Sequence, residues 1–178
     1  MKIAIMGYSG AGKSTLAKKL GRLYDCPVLH LDRLQFEPGW KERDREDARR
    51  MAEDFLDENQ ETGWVIDGNY AGFCQERRLE EADLIVFMNY SRRICLWQTV
   101  NRYREYKGKT RESAAEGCKE KLDREFIMWI LRDGRDEAHS YHSIQARYPQ
   151  KTLIVRNRKE LKESMTRLIL WSRERIML

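Results

Sequence analysis

Gly7-Tyr8-Ser9-Gly10-Ala11-Gly12-Lys13-Ser14-Thr15 fits the pattern G-x-x-x-x-G-K-[ST] at every fixed position. The run before it, Lys2 to Met6, is short and apolar and reads as a buried strand. After it, Ser14 to Tyr24 places Leu16, Leu20 and Leu23 on one side of a helix. Strand, glycine loop and helix in that order form the context in which the pattern binds phosphate. Glycines let the backbone wrap with its N–H groups inward, and the helix adds its positive end. Lys13 is expected between the β- and γ-phosphates of ATP, and the Ser14 hydroxyl is suited to the coordination shell of Mg²⁺. Gly7, Ser9, Gly10, Ala11, Gly12, Lys13, Ser14 and Thr15 are thus the expected ATP-binding residues.

Outward from this loop the pattern repeats. Val28–Leu31, Trp64–Asp67, Leu84–Met88 and Thr152–Val155 are strand-sized, and amphipathic stretches separate them. Arg43 to Asn59 carries Ala48, Met51, Ala52, Phe55 and Leu56 at the spacing of one buried stripe. Ser91 is a helix N-cap for a segment through Ile94, Trp97, Val100 and Asn101. A polar connection follows at 107–111, helical periodicity resumes from Cys118 through Leu122, Phe126, Trp129 and Ile130, and Leu161, Met165, Leu168 and Ile169 mark a closing helix. Five strands with interposed helices predict an α/β fold, a doubly wound parallel sheet in a single domain over residues 1–178.

In a parallel sheet every strand opens its C-terminal end onto the edge that carries the phosphate loop. Asp67 ends the strand Trp64-Val65-Ile66-Asp67 and is the first choice for the metal's acid. Asp32, read as ending His30-Leu31-Asp32, faces the same crevice, to orient or deprotonate an acceptor hydroxyl or to share the metal.

The chain has 34 Lys+Arg and 29 Asp+Glu, a formal net charge of +5. Between Arg92 and Arg111 there are seven cations (Arg92, Arg93, Arg102, Arg104, Lys107, Lys109, Arg111) and one acid, Glu105. Such a segment suits a lid for phosphoryl transfer, since the catalysis is mainly positioning and charge neutralisation. Arg132 and Arg135 are further candidates for the same cleft. The competing readings are a solvated helix face and a nucleic-acid patch, for which Tyr103 and Tyr106 are the stacking candidates inside the run.

Several classes are disfavoured. No window approaches the ~18 apolar residues of a membrane span, and Met1 to Gly7 is too short for a secretory signal, so a cytoplasmic protein without membrane association is expected. Cys26, Cys74, Cys95 and Cys118 are scattered, without a C-x-x-C pair, and read as reduced, mostly buried side chains. His139 and His142 lack a third ligand and read as a solvated helix face. No N-K-x-D base-reading motif points to a GTPase.

The phosphate loop, Leu29-His30-Leu31-Asp32 followed by Pro38-Gly39-Trp40, the run Trp64 to Tyr70, the strand Ala82 to Phe87, and Glu116 to Leu122 together resemble the small bacterial DNA topology modulation proteins. These look like adenylate kinase-like P-loop kinases. The resemblance implies a P-loop NTPase fold, three-layer α/β/α with a five-stranded parallel sheet, nucleoside monophosphate kinase-like, with a helical lid at about residues 101–115. It matches Asp67-Gly68 to the acid-Gly pair that holds metal and acceptor, and the lid arginines to Arg102 to Arg111. After Asp67-Gly68 this chain has Asn69-Tyr70 where adenylate kinases have Phe-Pro-Arg, which leaves Arg77 or Arg78 to grip an acceptor. Arg156 and Asn157 stand where such kinases hold adenine.

The expected function is transfer of the γ-phosphoryl group of ATP, with Mg²⁺ on Ser14 and Asp67 and with Lys13, Asp32, Arg102 and Arg111 as catalytic residues. The acceptor is a nucleotide or small molecule, and the chain is expected to be a monomer or dimer. The alternative is a nucleotide-dependent DNA-binding regulator.

Overall fold

The five apolar runs form strands, and all of them pair in parallel. A computed structural model describes residues 1–136 and 140–176; His139 and the side chain of Ile169 lie outside the described residues. The chain runs β1 (Lys2–Gly7), α1 (Lys13–Tyr24), β2 (Val28–His30), α2 (Leu31–Gln35), β3 (Phe36–Glu37), β4 (Lys41–Glu42), α3 (Arg45–Glu58) and β5 (Trp64–Asp67). It continues through α4 (Gln75–Glu81), β6 (Leu84–Met88), α5 (Arg92–Tyr106), α6 (Arg124–Leu131), a 3₁₀ turn Asp133–Arg135, α7 (His142–Arg147), β7 (Thr152–Val155) and α8 (Arg158–Ile176). The main sheet has the order β2-β5-β1-β6-β7, and β3 and β4 form a separate antiparallel hairpin.

β1 lies in the middle because both its faces are apolar: Ile3, Ala4 and Ile5 are fully buried. Its register with β5 sets Ile5 opposite Asp67, and its register with β6 sets Gly7 opposite Met88. β2 follows β1 in the chain but is separated from it by β5, while β6 flanks the other side. The strand order therefore reverses around β1, and the crevice of an open α/β sheet forms at that point. Helix α1 packs on β1, β2 and β5, α4 on β1, and α8 on β7.

Four local expectations are corrected. β2 ends at His30, and Asp32 sits in the first turn of α2, because fully buried Leu31 turns the chain into the core. On α3 the buried stripe is Ala48, Ala52 and Leu56, while Met51 is 42% exposed. On α5 the core-facing residues are Cys95 and Thr99, and Trp97 is 59% exposed. Helix α6 begins at Arg124 with an Asp123 cap, so the apparent periodicity from Cys118 spans a loop. That loop, 107–123, is tied by isolated bridges Lys107–Glu120 and Thr110–Lys119. It docks on the β3–β4 hairpin: Ala114, Ala115 and Cys118 form a second small core with Phe36 and Trp40, and Trp40 Nε1 donates to the Lys119 carbonyl at 2.8 Å.

Candidate active site

The sheet topology brings the C-terminal ends of β1 and β5 side by side. The phosphate loop leaves β1 at Gly7, where a Cβ would lie 2.5 Å from the Met88 carbonyl oxygen, with φ +132°. Gly10, at φ +80°, is tighter, since a Cβ there would meet Thr99 Oγ1 at 2.4 Å and the Cys95 carbonyl at 2.5 Å. Helix α5 thus lies against the loop, and only glycine admits that approach. Ala11 is buried and its N–H donates to the Tyr8 carbonyl. Ser9 Oγ accepts from Trp129 Nε1 at 3.2 Å, and Arg135 lies 3.8 Å over the Tyr8 ring while donating to the Ile130 carbonyl. Arg135 is therefore part of the loop's packing.

Lys13 Nζ donates to the carbonyls of Gly7 at 2.9 Å and Tyr8 at 3.2 Å. Burial lowers its pKa from the ordinary lysine value, while the carboxylates of Asp32 and Asp67 act in the opposite direction. Ser14 Oγ donates to Asp67 Oδ2 at 2.8 Å. The other Asp67 oxygen meets His30 Nδ1, and the two residues are register partners on β2 and β5, both buried. Asn69 brackets Gly7: its Oδ1 accepts from the Gly7 N–H and its Nδ2 donates to the Gly7 carbonyl, each at 3.0 Å. Tyr70 Oη donates to Asp32 Oδ1 at 2.9 Å.

Above these groups lies the end of α5. Arg102 Nε and Arg111 Nε donate to the two oxygens of one carboxylate, Glu120, at 2.8 and 2.5 Å. Glu120 is 7% exposed, and the Glu120 N–H donates to the Lys109 carbonyl. Arg102 is pushed below its usual pKa by burial, with Arg111 adding to the shift. Lys13, Asp32, Asp67, Arg102, Arg111 and Glu120 all line one cleft of about 1890 Å³. Pockets for one drug-sized ligand measure roughly 300–1,000 Å³, so the cleft has room for two.

The structure brings Lys13, Ser14, Asp32, Asp67, Arg102 and Arg111 to one cleft, but the proposed acceptor arginines, and Arg132, Arg135, Arg156 and Asn157, do not line it. Arg77 pairs with Asp57 and Glu81. Arg78 is fully buried, donates to the carbonyls of Phe73 and Tyr70, and is lowered by burial to about 10. Both arginines hold α4 and its preceding loop in place. Asn69 and Tyr70 are legible in the sequence only as departures from Phe-Pro-Arg, and Glu120 carries no local signal, being 18 residues from Arg102. His30 is signalled by its place within a strand-like run that ends at the crevice.

Hard oxygen donors, a hydroxyl and a carboxylate, meet at Ser14 and Asp67, and this donor set suits Mg²⁺. Among the described residues no group of three or more His, Cys, Asp or Glu is placed to hold a metal.

No protein-family model matches the chain, and no curated protein matches it. Among solved structures it is similar to an uncharacterized protein from Eubacterium ventriosum, at 17% identity and TM-score 0.55, covering 95% of this chain and 98% of that one. It is also similar to the deoxyadenosine kinase from M. mycoides with bound dATP, at 13% identity and TM-score 0.51, covering 94% and 99%. The shikimate kinase from Bacteroides thetaiotaomicron gives 20% identity and TM-score 0.46 over 100% and 99%. The chain shares the α/β fold of the M. mycoides deoxyadenosine kinase, built on a five-stranded parallel sheet.

Proposed function

We propose that this chain is an ATP-dependent phosphotransferase that passes the γ-phosphoryl group to a small acceptor. The observation that carries this reading is one cleft in which the phosphate loop, a metal-suited Ser14–Asp67 pair, a separate carboxylate at Asp32 and two arginines converge. A simple nucleotide switch has no use for a second carboxylate, Asp32, held by Tyr70 in the same cleft. The bound deoxynucleotide in the M. mycoides kinase fits the same assignment.

Backbone N–H groups of residues 9, 10 and 12–14 hold the donor phosphates, and Lys13 exchanges its two carbonyl partners for β- and γ-oxygens. Mg²⁺ bound at Ser14 and Asp67 would supply charge neutralisation across the β- and γ-phosphates. His30 and Ser14 fix the Asp67 carboxylate from both sides. Asp32, oriented by Tyr70, accepts the acceptor's proton, and Arg102 and Arg111 neutralise the transferred group. Loop 107–120, resting on the β3–β4 hairpin, keeps water from the γ-phosphate.

Lys13→Ala is expected to lower ATP turnover by at least about 10²-fold, the cost of one preorganised transition-state donor, with an unchanged circular-dichroism spectrum. Undiminished turnover in a folded variant would refute the phosphate-loop assignment.

A second reading, the nucleotide-dependent DNA-binding regulator suggested by the resemblance to DNA topology modulation proteins, is favoured by one observation. Arg93, Arg104, Lys107 and Lys109 are exposed, so the basic segment is divided between the cleft and the surface.

A further inference from the structure

The two kinds of phosphoryl acceptor demand opposite surroundings. A phosphate acceptor arrives already ionised, needs no base, and brings its own dianion to the point of transfer, so it requires cations beyond those gripping the donor. A hydroxyl acceptor arrives neutral, needs a base for its proton, and is indifferent to a nearby carboxylate.

On the acceptor side of this cleft most guanidinium groups of the described residues are already committed. Arg43 donates to the Leu34 carbonyl and pairs with Glu37. Arg77 and Arg78 are held as described, by two acids and by backbone carbonyls. Arg102 and Arg111 share Glu120, whose backbone is fixed by the 107–120 bridges, so the pair presents one net positive charge. Lys19 and Arg22 also line the cleft, but they lie six and nine residues along α1 from Lys13, about 9 and 13.5 Å at 1.5 Å per residue, and Lys18 is paired with Glu112. Asp32 faces the cleft and holds the Tyr70 hydroxyl on one of its oxygens, and Glu42 also lines that side. Phe36, Trp40 and Tyr70 make the remaining wall aromatic.

We propose that the acceptor is an uncharged hydroxyl compound with a flat ring, of the nucleoside class, and not a phosphorylated one; this rests on the phosphotransferase reading above. Asp32 takes the hydroxyl proton as the new O–P bond forms. The bond between the γ-phosphorus and the β,γ-bridging oxygen breaks, its electron pair leaves with ADP, and Asp32 then releases the proton to solvent. The products are the phosphate monoester, ADP and one proton. The ring lies against Phe36 and Tyr70, beneath the loop that carries Ser113.

The test uses matched pairs: a panel of ribo- and deoxyribonucleosides and their 5′-monophosphates, each with Mg-ATP, scored by ADP release and by mass detection of the phosphorylated product. At least one nucleoside is expected to raise ADP release tenfold or more above the water-only rate, and its monophosphate is expected to leave that rate unchanged. Asp32→Asn, which keeps an oxygen for Tyr70, is expected to lower kcat with that nucleoside by about 10²-fold or more, with ATP affinity by calorimetry and acceptor KM within about threefold. Acceleration by monophosphates but not by their nucleosides overturns the proposal, as does an Asp32→Asn variant that turns over faster. If neither series accelerates turnover while ATP binds in a Lys13-dependent way, the acceptor class is wrong and the donor assignment stands. If ATP does not bind, both fall.

Discussion

Tyr70 shows how one side chain ties the acceptor side to the sheet. Its ring stacks on Phe73 at 5.1 Å between centroids, and its hydroxyl reaches Asp32. Burial first, and then the Asp32 charge, hold the phenol well above its ordinary pKa. The sign of the pH effect follows from linkage. Near pH 10 the unfolded tyrosine loses its proton while the folded one keeps it, so the folded state binds more protons and stability falls as pH rises. The contribution of Tyr70 is therefore fully present below pH 10 and is lost above it. Tyr70→Phe retains the ring and removes the hydroxyl. At pH 8 this variant is expected to be less stable by about 1.5–3 kcal/mol, the worth of a hydrogen bond to a charged group. At pH 11 the gap should narrow. Urea titrations of both proteins at the two pH values check this, and a gap of constant size would show that the hydroxyl is not bound to Asp32.

Among the elements, loop 107–123 and the β3–β4 hairpin are instructive because they belong to opposite sides of the cleft and yet share a core. Periodicity finds the five strands of the main sheet, α1 and most of α3, which bury stripes fixed by their own local repeats, whereas α5 is marked by its Ser91 cap, its Ile94 and Trp97 being exposed. It does not find this docking. Cys118 looks like a helical apolar position but, with Ala114 and Ala115, is buried by Phe36 and Trp40, about 80 residues earlier. The same holds for Glu120, whose meaning depends on Arg102 and Arg111 arriving from different segments, and for Asp32, whose strand is cut short by the burial of Leu31. Local pattern makes the phosphate loop and Asp67 legible; tertiary pairing decides the rest. Trp40→Ala removes the edge-on packing against Phe36 and the bond to Lys119. In hydrogen exchange the amides of Ala114, Cys118 and Glu120 are expected to lose protection about tenfold, a local opening ~1.4 kcal/mol easier, while β1 and β5 amides keep theirs. Unchanged protection in the loop would mean that it does not depend on the hairpin.

For the whole molecule the question is where the charge of +5 acts. Composition cannot separate a basic cleft from a basic surface, because that depends on which way each cation of α5 and its following loop turns. The fold divides them: Arg102 and Arg111 face inward onto Glu120, Arg92 donates to the Leu131 carbonyl, and Arg93, Arg104, Lys107 and Lys109 are exposed. The inward pair belongs to the phosphotransferase reading and the outward four to the DNA-binding one, so the two readings predict opposite responses to the same variant. Arg104→Glu, Lys107→Glu and Lys109→Glu combined reverse three outward charges and leave the cleft unaltered. ATP affinity, and turnover with a productive acceptor, are expected to stay within about twofold. DNA affinity of the unaltered protein at physiological salt is expected in the non-specific range, about 10⁻⁴–10⁻⁶ M, with a log–log salt slope that becomes shallower by about 0.9 for each DNA phosphate that the variant no longer neutralises. Nanomolar DNA binding that disappears in the triple variant, together with loss of nucleotide turnover, would make the outer face the functional one. An unchanged slope would instead assign these three exposed cations to solvation, and the asymmetry between the two halves of this segment would then be explained by the cleft alone.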